Sequence, residues 1–244
     1  MTMRGYASST LLSTYEVERI PVIADMLKIT TDLYNRTMES NIQREIAVQK
    51  AVKAAQQLND SERSPWHRGR KLFQLDVNYR WSPVVVDERF MDAEMACDAY
   101  GSIGHDVRAG DRASDAPELK IVHGTTSGQT TRLFDIFSPA SHTVLLFGSN
   151  DLNTFKSSLD IIRSLPRELF KVMFVLAPGA TAQGDLDTVD FVVEDTKGLA
   201  KVGYGLEDTT TPLVILIRPD AMVGAVATSE HGVDKYVRAV FSRV

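Results

Sequence analysis

Three apolar runs constrain the fold of this chain most: Thr143–Phe147 (T-V-L-L-F), Phe170–Leu176 (F-K-V-M-F-V-L) and Leu213–Ile217 (L-V-I-L-I). Each is short, rich in β-branched and aromatic residues, and has the composition of a buried, central strand. Between the first two lies Asp151–Leu165, with Leu152, Phe155, Leu159, Ile162 and Leu165 on one helical face and Pro166 as the stop. The surrounding segments continue the alternation. Leu119–Val122 reads as a short strand, Thr131–Phe137 as a short helix closed by Ser138-Pro139, and Val189–Val193 as an edge strand. Lys197–Tyr204 is a short helix or turn. Arg218-Pro219-Asp220-Ala221 turns the chain from the third run into Met222–Ala227, a hairpin, and Val233–Phe241 is a closing helix.

The N-terminal part has a different period. From Ser13 to about Asn59 the pattern is helical, with Val17, Ile20, Ala24, Leu27 and Leu33 on one side. Ser13 and Glu16 have the spacing of a capping box, and Pro21 should kink or divide the helix near Ile20. Met38, Ile42, Ile46, Val48, Val52, Ala55 and Leu58 give a second apolar stripe. Asn59–Lys71 is a polar loop, Leu72–Tyr79 alternates like a half-buried strand, and Val84–Val86 starts another extended piece. The Gly-, Asp- and Ser-rich section Asp92–Asp115 is the expected boundary. The expectation is an α/β (α+β) protein with a helical segment and short strands over residues 1–100, then a second domain over residues 101–244.

The order of that second domain, β-α-β-α-β followed by a hairpin and a helix, is the thioredoxin-fold order. Thr211-Pro212 stands where thioredoxin-like proteins place a cis-proline, so a cis bond is expected there by resemblance; a trans proline that simply starts a strand is the alternative. A redox site would need Cys-x-x-Cys after the Thr143 strand, where one thiolate is activated and the other resolves the mixed disulfide. The sequence there is Gly148-Ser149-Asn150-Asp151-Leu152, and the chain's single cysteine, Cys97, lies before the domain. Disulfide exchange and thiol peroxidase chemistry are excluded, and so is any zinc site built on paired cysteines.

Other chemistries lack an anchor as well. Gly101-Ser102-Ile103-Gly104 and Gly203-Tyr204-Gly205 are not a G-x-G-x-x-G turn, and no phosphate loop or G-x-S-x-G elbow occurs; Thr126-Ser127-Gly128 sits in a loop. His67, His105, His123, His142 and His231 are scattered singly. His105-Asp106 reads as a loop pair, and Asp185, Asp187 and Asp190 as a solvated acidic loop or a weak divalent-cation site. No catalytic, cofactor-binding or metal-binding residue is assigned.

Over 244 residues the net charge is −5, and basic clusters such as His67-Arg68-Gly69-Arg70-Lys71 are short, which argues against a nucleic-acid partner. No apolar run approaches membrane-spanning length, and the N-terminus lacks a secretory signal pattern. Asn35-Arg36-Thr37 and Asn59-Asp60-Ser61 are therefore chance glycosylation matches, and a reducing, cytoplasmic location is expected.

Four patches resemble the phenol 2-monooxygenase-like, FAD-dependent aromatic hydroxylases. They are L-L-S-T-Y-E-V-E-R-I-P-V from Leu11, Q-L-D-V-N-Y-R-W-S-P-V-V-V from Gln74, G-D-R-A-S-D-A-P-E-L from Gly110, and R-L-F-D-I-F … T-V-L-L-F-G … T-P-L-V-I-L-I-R-P-D between Arg132 and Asp220. The resemblance covers nearly the whole chain. It implies a family that hydroxylates phenolic rings with FAD, NADPH and dioxygen through a flavin hydroperoxide. The family's thioredoxin-like C-terminal domain lacks redox cysteines and contributes dimer contacts. Its glycine-rich FAD loop, second flavin-contacting Gly-Asp motif and substrate pocket all belong upstream of residue 1. By this resemblance the chain is the C-terminal part of such an enzyme, with no cofactor and no activity of its own, partnered as a homodimer or with a flavoprotein through the thioredoxin-like domain. A stand-alone redox-inactive dimerisation or interaction module is the alternative, and an active enzyme of another class the remainder.

Overall fold

The three apolar runs become neighbours in one eight-stranded sheet. The computed structural model describes residues 5–7, 9–50, 74–90, 98–101, 107–124, 127–206 and 211–241, with side chains described to residue 38 in the first helix. The strands are β1 (Val86–Asp87), β2 (Leu119–His123), β3 (Thr130–Thr131), β4 (His142–Phe147), β5 (Phe170–Leu176), β6 (Phe191–Asp195), β7 (Leu213–Ile217) and β8 (Val223–Ala227). Their order is β1-β8-β7-β4-β5-β6-β2-β3. β4, β5 and β6 are parallel, whereas β7 runs antiparallel to both β4 and β8.

Alternate residues of the central strands serve two cores. Val144, Leu146, Val172, Phe174 and Leu216 face the helices α3 (Lys156–Arg163) and α5 (Glu230–Val240), meeting Phe155, Leu159, Val233 and Tyr236. Leu145, Phe147, Met173, Val175 and Ile215 face the other way. They meet the short helices α2 (Leu133–Ile136) and α4 (Leu199–Gly203) and the segment from Val107 to Ala116. Two-sided burial is why these strands read as continuous apolar runs rather than as alternation. The arrangement is thioredoxin-like α/β, as the element order implies.

Several local expectations differ. The segment Val189–Val193 yields β6 two residues later, and β6 is interior because β2 and β3 lie outside it. Residues 74–79 form a turn and irregular chain instead of a strand, and the extended piece expected from Val84 is the short β1, paired in parallel with β8. The expected helix Asp151–Leu165 opens with a tighter turn, Leu152–Phe155, in which Asp151 accepts from the Asn153 N–H at 3.0 Å. The Arg218–Ala221 hairpin forms as expected: Ala221 adopts φ 60° and Arg218 N donates to the Met222 carbonyl at 2.8 Å.

The long N-terminal helix α1 spans Thr10–Lys50. It begins before Ser13, so the Ser13/Glu16 capping box is not used; the Leu12 N–H instead bonds the Ser9 carbonyl at 3.0 Å. Pro21 lies inside α1 without ending it. A proline there leaves the carbonyl four residues earlier without its helical partner, and Trp81 Nε1–H donates to that Val17 carbonyl at 3.0 Å. The part of the expected helix beyond Lys50, like the loop Asn59–Lys71, lies outside the described residues. None of the described helices is long and apolar enough to cross a membrane.

Candidate functional site

The end of β4 is where disulfide chemistry would need its thiols. Gly148 takes φ 84°, and a Cβ there would sit 2.4 Å from the Thr211 carbonyl oxygen, so only glycine allows this close approach. Beyond it the polar side chains satisfy one another. Ser149 Oγ accepts from Asp151 N at 3.1 Å and lies 3.0 Å from Thr154 Oγ1, while Asp151 Oδ1 accepts from the backbone and side-chain amides of Asn153. Thr211–Pro212 is trans, correcting the expected cis bond: all described peptide bonds are trans. Pro212 immediately precedes β7, whose ladder begins at Leu213, so its missing N–H costs no strand pairing. Cys97 and the His105-Asp106 pair fall outside the described residues.

The remaining sequence candidates are dispersed. Asp190 accepts from Val172 N at 2.8 Å, Asp185 from Asp187 N at 3.2 Å, and Asp187 lies 3.8 Å from His123. The Asp185 contact closes a turn and the other two join separate segments, and among the described residues no three His, Cys, Asp or Glu side chains group as metal ligands. His231 is exposed, and Ser127 Oγ donates to the Val122 carbonyl. Among the described residues, none of these sequence candidates pairs a nucleophile with a base.

The structure instead gathers charge at the seam between α1 and the sheet. Glu18, 3% exposed, receives Arg218 in a two-point contact of 2.6 and 2.9 Å and Ser82 Oγ–H at 2.7 Å. Arg218 also reaches Asp220 at 2.8 Å. Burial alone would lower the Arg218 pKa, but the Glu18 hydrogen bonds and the Asp220 charge outweigh it and hold the guanidinium charged. The next residue, Arg19, donates to Tyr79 OH at 2.9 Å. Val22 then packs with Val77, Tyr79, Tyr100 and Met222 in a small third core. A cleft of about 560 Å³ opens beside the seam, reaching His142 and Tyr236.

His142 Nε2 lies 3.0 Å from Tyr236 OH, and the ring is enclosed by Phe170 and Phe241. Burial, reinforced by the Arg218 charge, lowers its pKa to about 3, so the imidazole is neutral. A second carboxylate, Glu88, lies under the start of α5 and accepts from Thr228 N and Ser229 N at 2.7 and 2.9 Å. Burial pushes its pKa up, but the Ser229 and Thr228 hydrogen bonds prevail and hold it below the usual range. Gly232 makes room for that carboxylate. Arg80–Asp111 and Arg89–Asp87 pin the approaches to β1 in the same two-point manner.

Sequence reasoning did not select any of these groups. Glu18 and Arg218 are 200 residues apart, and although each lies in a patch that carries the family resemblance, nothing local pairs them. The apolar side expected to be buried in α1 is also the wrong one. Ile20 and Leu27 are 62% and 63% exposed, and Leu12, Ile23, Tyr34 and Met38 share that outer arc. The inner arc carries Leu11, Glu18, Val22 and Ile29.

A flavin site is not built from the described residues. A dinucleotide needs a glycine-rich strand–turn–helix whose free amides take the pyrophosphate. After β4 the Leu152 N–H is taken by the Gln183 carbonyl and the Asn153 N–H by the Asp151 carboxylate, which would repel a phosphate. Gly203 and Gly205 lie at the end of α4, not at a helix start.

No protein-family model matches the chain. Over 143 residues it is 31% identical to a flavin-dependent monooxygenase of Mycobacteroides abscessus, a match covering 59% of this chain and 21% of that protein. Its fold is similar to the solved flavin-dependent monooxygenase PieE, crystallised with FAD and substrate, at TM-score 0.54 and 15% identity. That superposition covers 98% of this chain and 40% of PieE. A peroxiredoxin from Plasmodium vivax also matches, at 11% identity and TM-score 0.38 over 50% of the chain. The chain is thus similar over part of its length to a flavin-dependent monooxygenase, and spans about a fifth of that curated relative and two fifths of the solved one.

Proposed function

We propose that the chain is the C-terminal, thioredoxin-like part of a FAD-dependent, phenol hydroxylase-type monooxygenase, and that it scaffolds a flavin-binding body without doing chemistry. The 31% identity to a flavin-dependent monooxygenase carries this reading. Two features of the site support it. The described residues form no thiol pair, triad, metal cluster or dinucleotide turn. The outer arc of α1 presents Leu12, Ile20, Ile23, Leu27 and Tyr34 to solvent, an apolar surface of the kind that marks a contact with another polypeptide. In this reading the catalytic body supplies FAD, NADPH binding and the phenolic substrate pocket. The chain contributes the seam that fixes α1 against the sheet, and a dimer contact through the residues from Arg132 to Val244.

The test uses the chain alone. It is expected to purify colourless, to gain no flavin absorbance or fluorescence quenching when titrated with FAD, and to leave NADPH unoxidised in the presence of phenols. Stoichiometric flavin binding or substrate-dependent NADPH oxidation would overturn the proposal. Size-exclusion with light scattering reads the dimer, and a strictly monomeric profile removes that part.

A further inference from the structure

The cleft beside the seam has two walls. Leu11 and Tyr15 of α1 form one, and Leu169, Val240 and the Arg218–Asp220 turn form the other. Its volume of about 560 Å³ lies within the range that holds small molecules, and such pockets favour the junction between two packed units. Most of its polar groups are already committed. Thr14 Oγ1 donates to the Leu11 carbonyl, Glu18 is held by Arg218 and Ser82, and His142 and Tyr236 meet each other.

Arg218 and Asp220 keep capacity to spare. A guanidinium has five N–H groups, and Glu18 takes two of these and Asp220 one. The Nε–H and the second Nη1–H meet no acceptor among the described residues, and the side chain stays 17% exposed. The Asp220 side chain is 47% exposed. Its Oδ2 accepts from Arg218 at 2.8 Å, whereas its Oδ1 has only the Met222 N–H at 3.3 Å. A donor and an acceptor that solvent can reach therefore stand side by side on the wall of the cleft.

That pair selects by charge. An anion on Arg218 is opposed by the Glu18 and Asp220 carboxylates. A cation on Asp220 is opposed by Arg218 and offers its spare N–H groups nothing. A neutral group with an acceptor and a donor on neighbouring atoms satisfies both, and a primary carboxamide is such a group.

We propose that the cleft binds small uncharged amides, with the carbonyl oxygen accepting from Arg218, the amide N–H donating to Asp220, and an apolar body against Leu11, Val84 and Leu169. Recognition is non-covalent. It goes beyond the scaffold reading and does not depend on it, since every group it uses belongs to this chain.

The experiment is an amide NMR titration of the intact chain with phenylacetamide, N,N-dimethylphenylacetamide, phenylacetate and 2-phenylethylammonium, which share a ring and differ in head group. Phenylacetamide is expected to move the Tyr15, Ala140 and Asp220 amides together and saturably. The dimethyl amide, which has no N–H for Asp220, should bind about tenfold more weakly, the ratio for one hydrogen bond to a charged group. Both ions should bind about tenfold or more weakly as well. Asp220→Ala removes the acceptor and should bring the two amides to equal affinity. Ala140→Trp, at an exposed position on the rim, should block the cleft and abolish all binding. No saturable shift with phenylacetamide, either ion binding as tightly as the primary amide, equal affinity for the two amides on the unaltered chain, or shifts confined to other amides would each overturn the proposal. The ligand series on the unaltered chain decides it even if neither variant folds.

Discussion

Along the inner arc of α1 a carboxylate, Glu18, is buried beside Val22, whereas across the helix Ile20, Ile23 and Leu27 stand in solvent. The inner arc is held by directional bonds: Arg218 and Ser82 on Glu18, Tyr79 on Arg19, Trp81 on the Val17 carbonyl. The outer arc has apolar area and no directional partner among these bonds. The difference separates two jobs. Directional contacts fix one orientation of a helix, because each donor must meet one acceptor. An apolar arc binds by area and tolerates exchange of its partner. In α1 the sheet is addressed by geometry and the outer surface by hydrophobicity.

The largest expected effect comes from breaking the inner lock. Glu18→Ala leaves Arg218 buried with Asp220 alone, and should destabilise the chain by about 3–5 kcal/mol in a urea melt. The matched replacement Glu18→Leu with Arg218→Met should recover most of that loss. If it recovers none, the pair does more than neutralise itself.

Next is acid. His142 is neutral in the folded chain, with its pKa lowered to about 3, while in the unfolded chain it titrates near the ordinary value of about 6.5. Below that value the unfolded state binds the extra proton. Stability is therefore fully present above about pH 6.5 and is lost as the pH falls toward 3, at up to about 1.4 kcal/mol per pH unit. His142→Phe should flatten that slope in melts recorded between those limits, whereas an unchanged slope would place the acid sensitivity elsewhere.

Trp81→Phe is a smaller perturbation. It removes the donor to the carbonyl that Pro21 leaves open, and should cost about 0.5–1 kcal/mol, the net worth of a solvent-accessible hydrogen bond. The combination of Trp81→Phe with Pro21→Ala should lose less than the sum of the two, since alanine restores the helical N–H.

The outer arc should behave oppositely. Ile20→Glu with Leu27→Glu is expected to change stability by no more than about 0.5 kcal/mol, because both side chains are already exposed. The same substitutions should reduce self-association in sedimentation runs and abolish capture by a flavin-binding partner. A large stability loss would mean that this arc is packed within the chain.

Much of the sheet was legible in the residues. Thr143–Phe147, Phe170–Leu176 and Leu213–Ile217 became β4, β5 and β7 with at most one residue of difference, because two-sided burial demands an unbroken apolar run. Leu72–Tyr79 misled: its alternation matched a half-buried strand, but Val77 and Tyr79 are buried under α1 in irregular chain, with Tyr79 N bonded to the Gly110 carbonyl. The α1 register misled for a related reason. Ranking positions by hydrophobicity places a glutamate outside, and only the arrival of Arg218 makes Glu18 the better buried residue.

By itself the sequence determined the strand series, the absence of a second thiol to pair with Cys97 and the want of a glycine-rich nucleotide turn, since each depends on residue identity over a few neighbouring positions. The tertiary structure alone decided which arc of α1 docks, that Pro21 could be tolerated, that Thr211–Pro212 is trans, and that Asp195 is buried with one oxygen unpartnered. Those outcomes depend on groups as much as 200 residues apart meeting at hydrogen-bond distance, and local periodicity carries no record of such meetings.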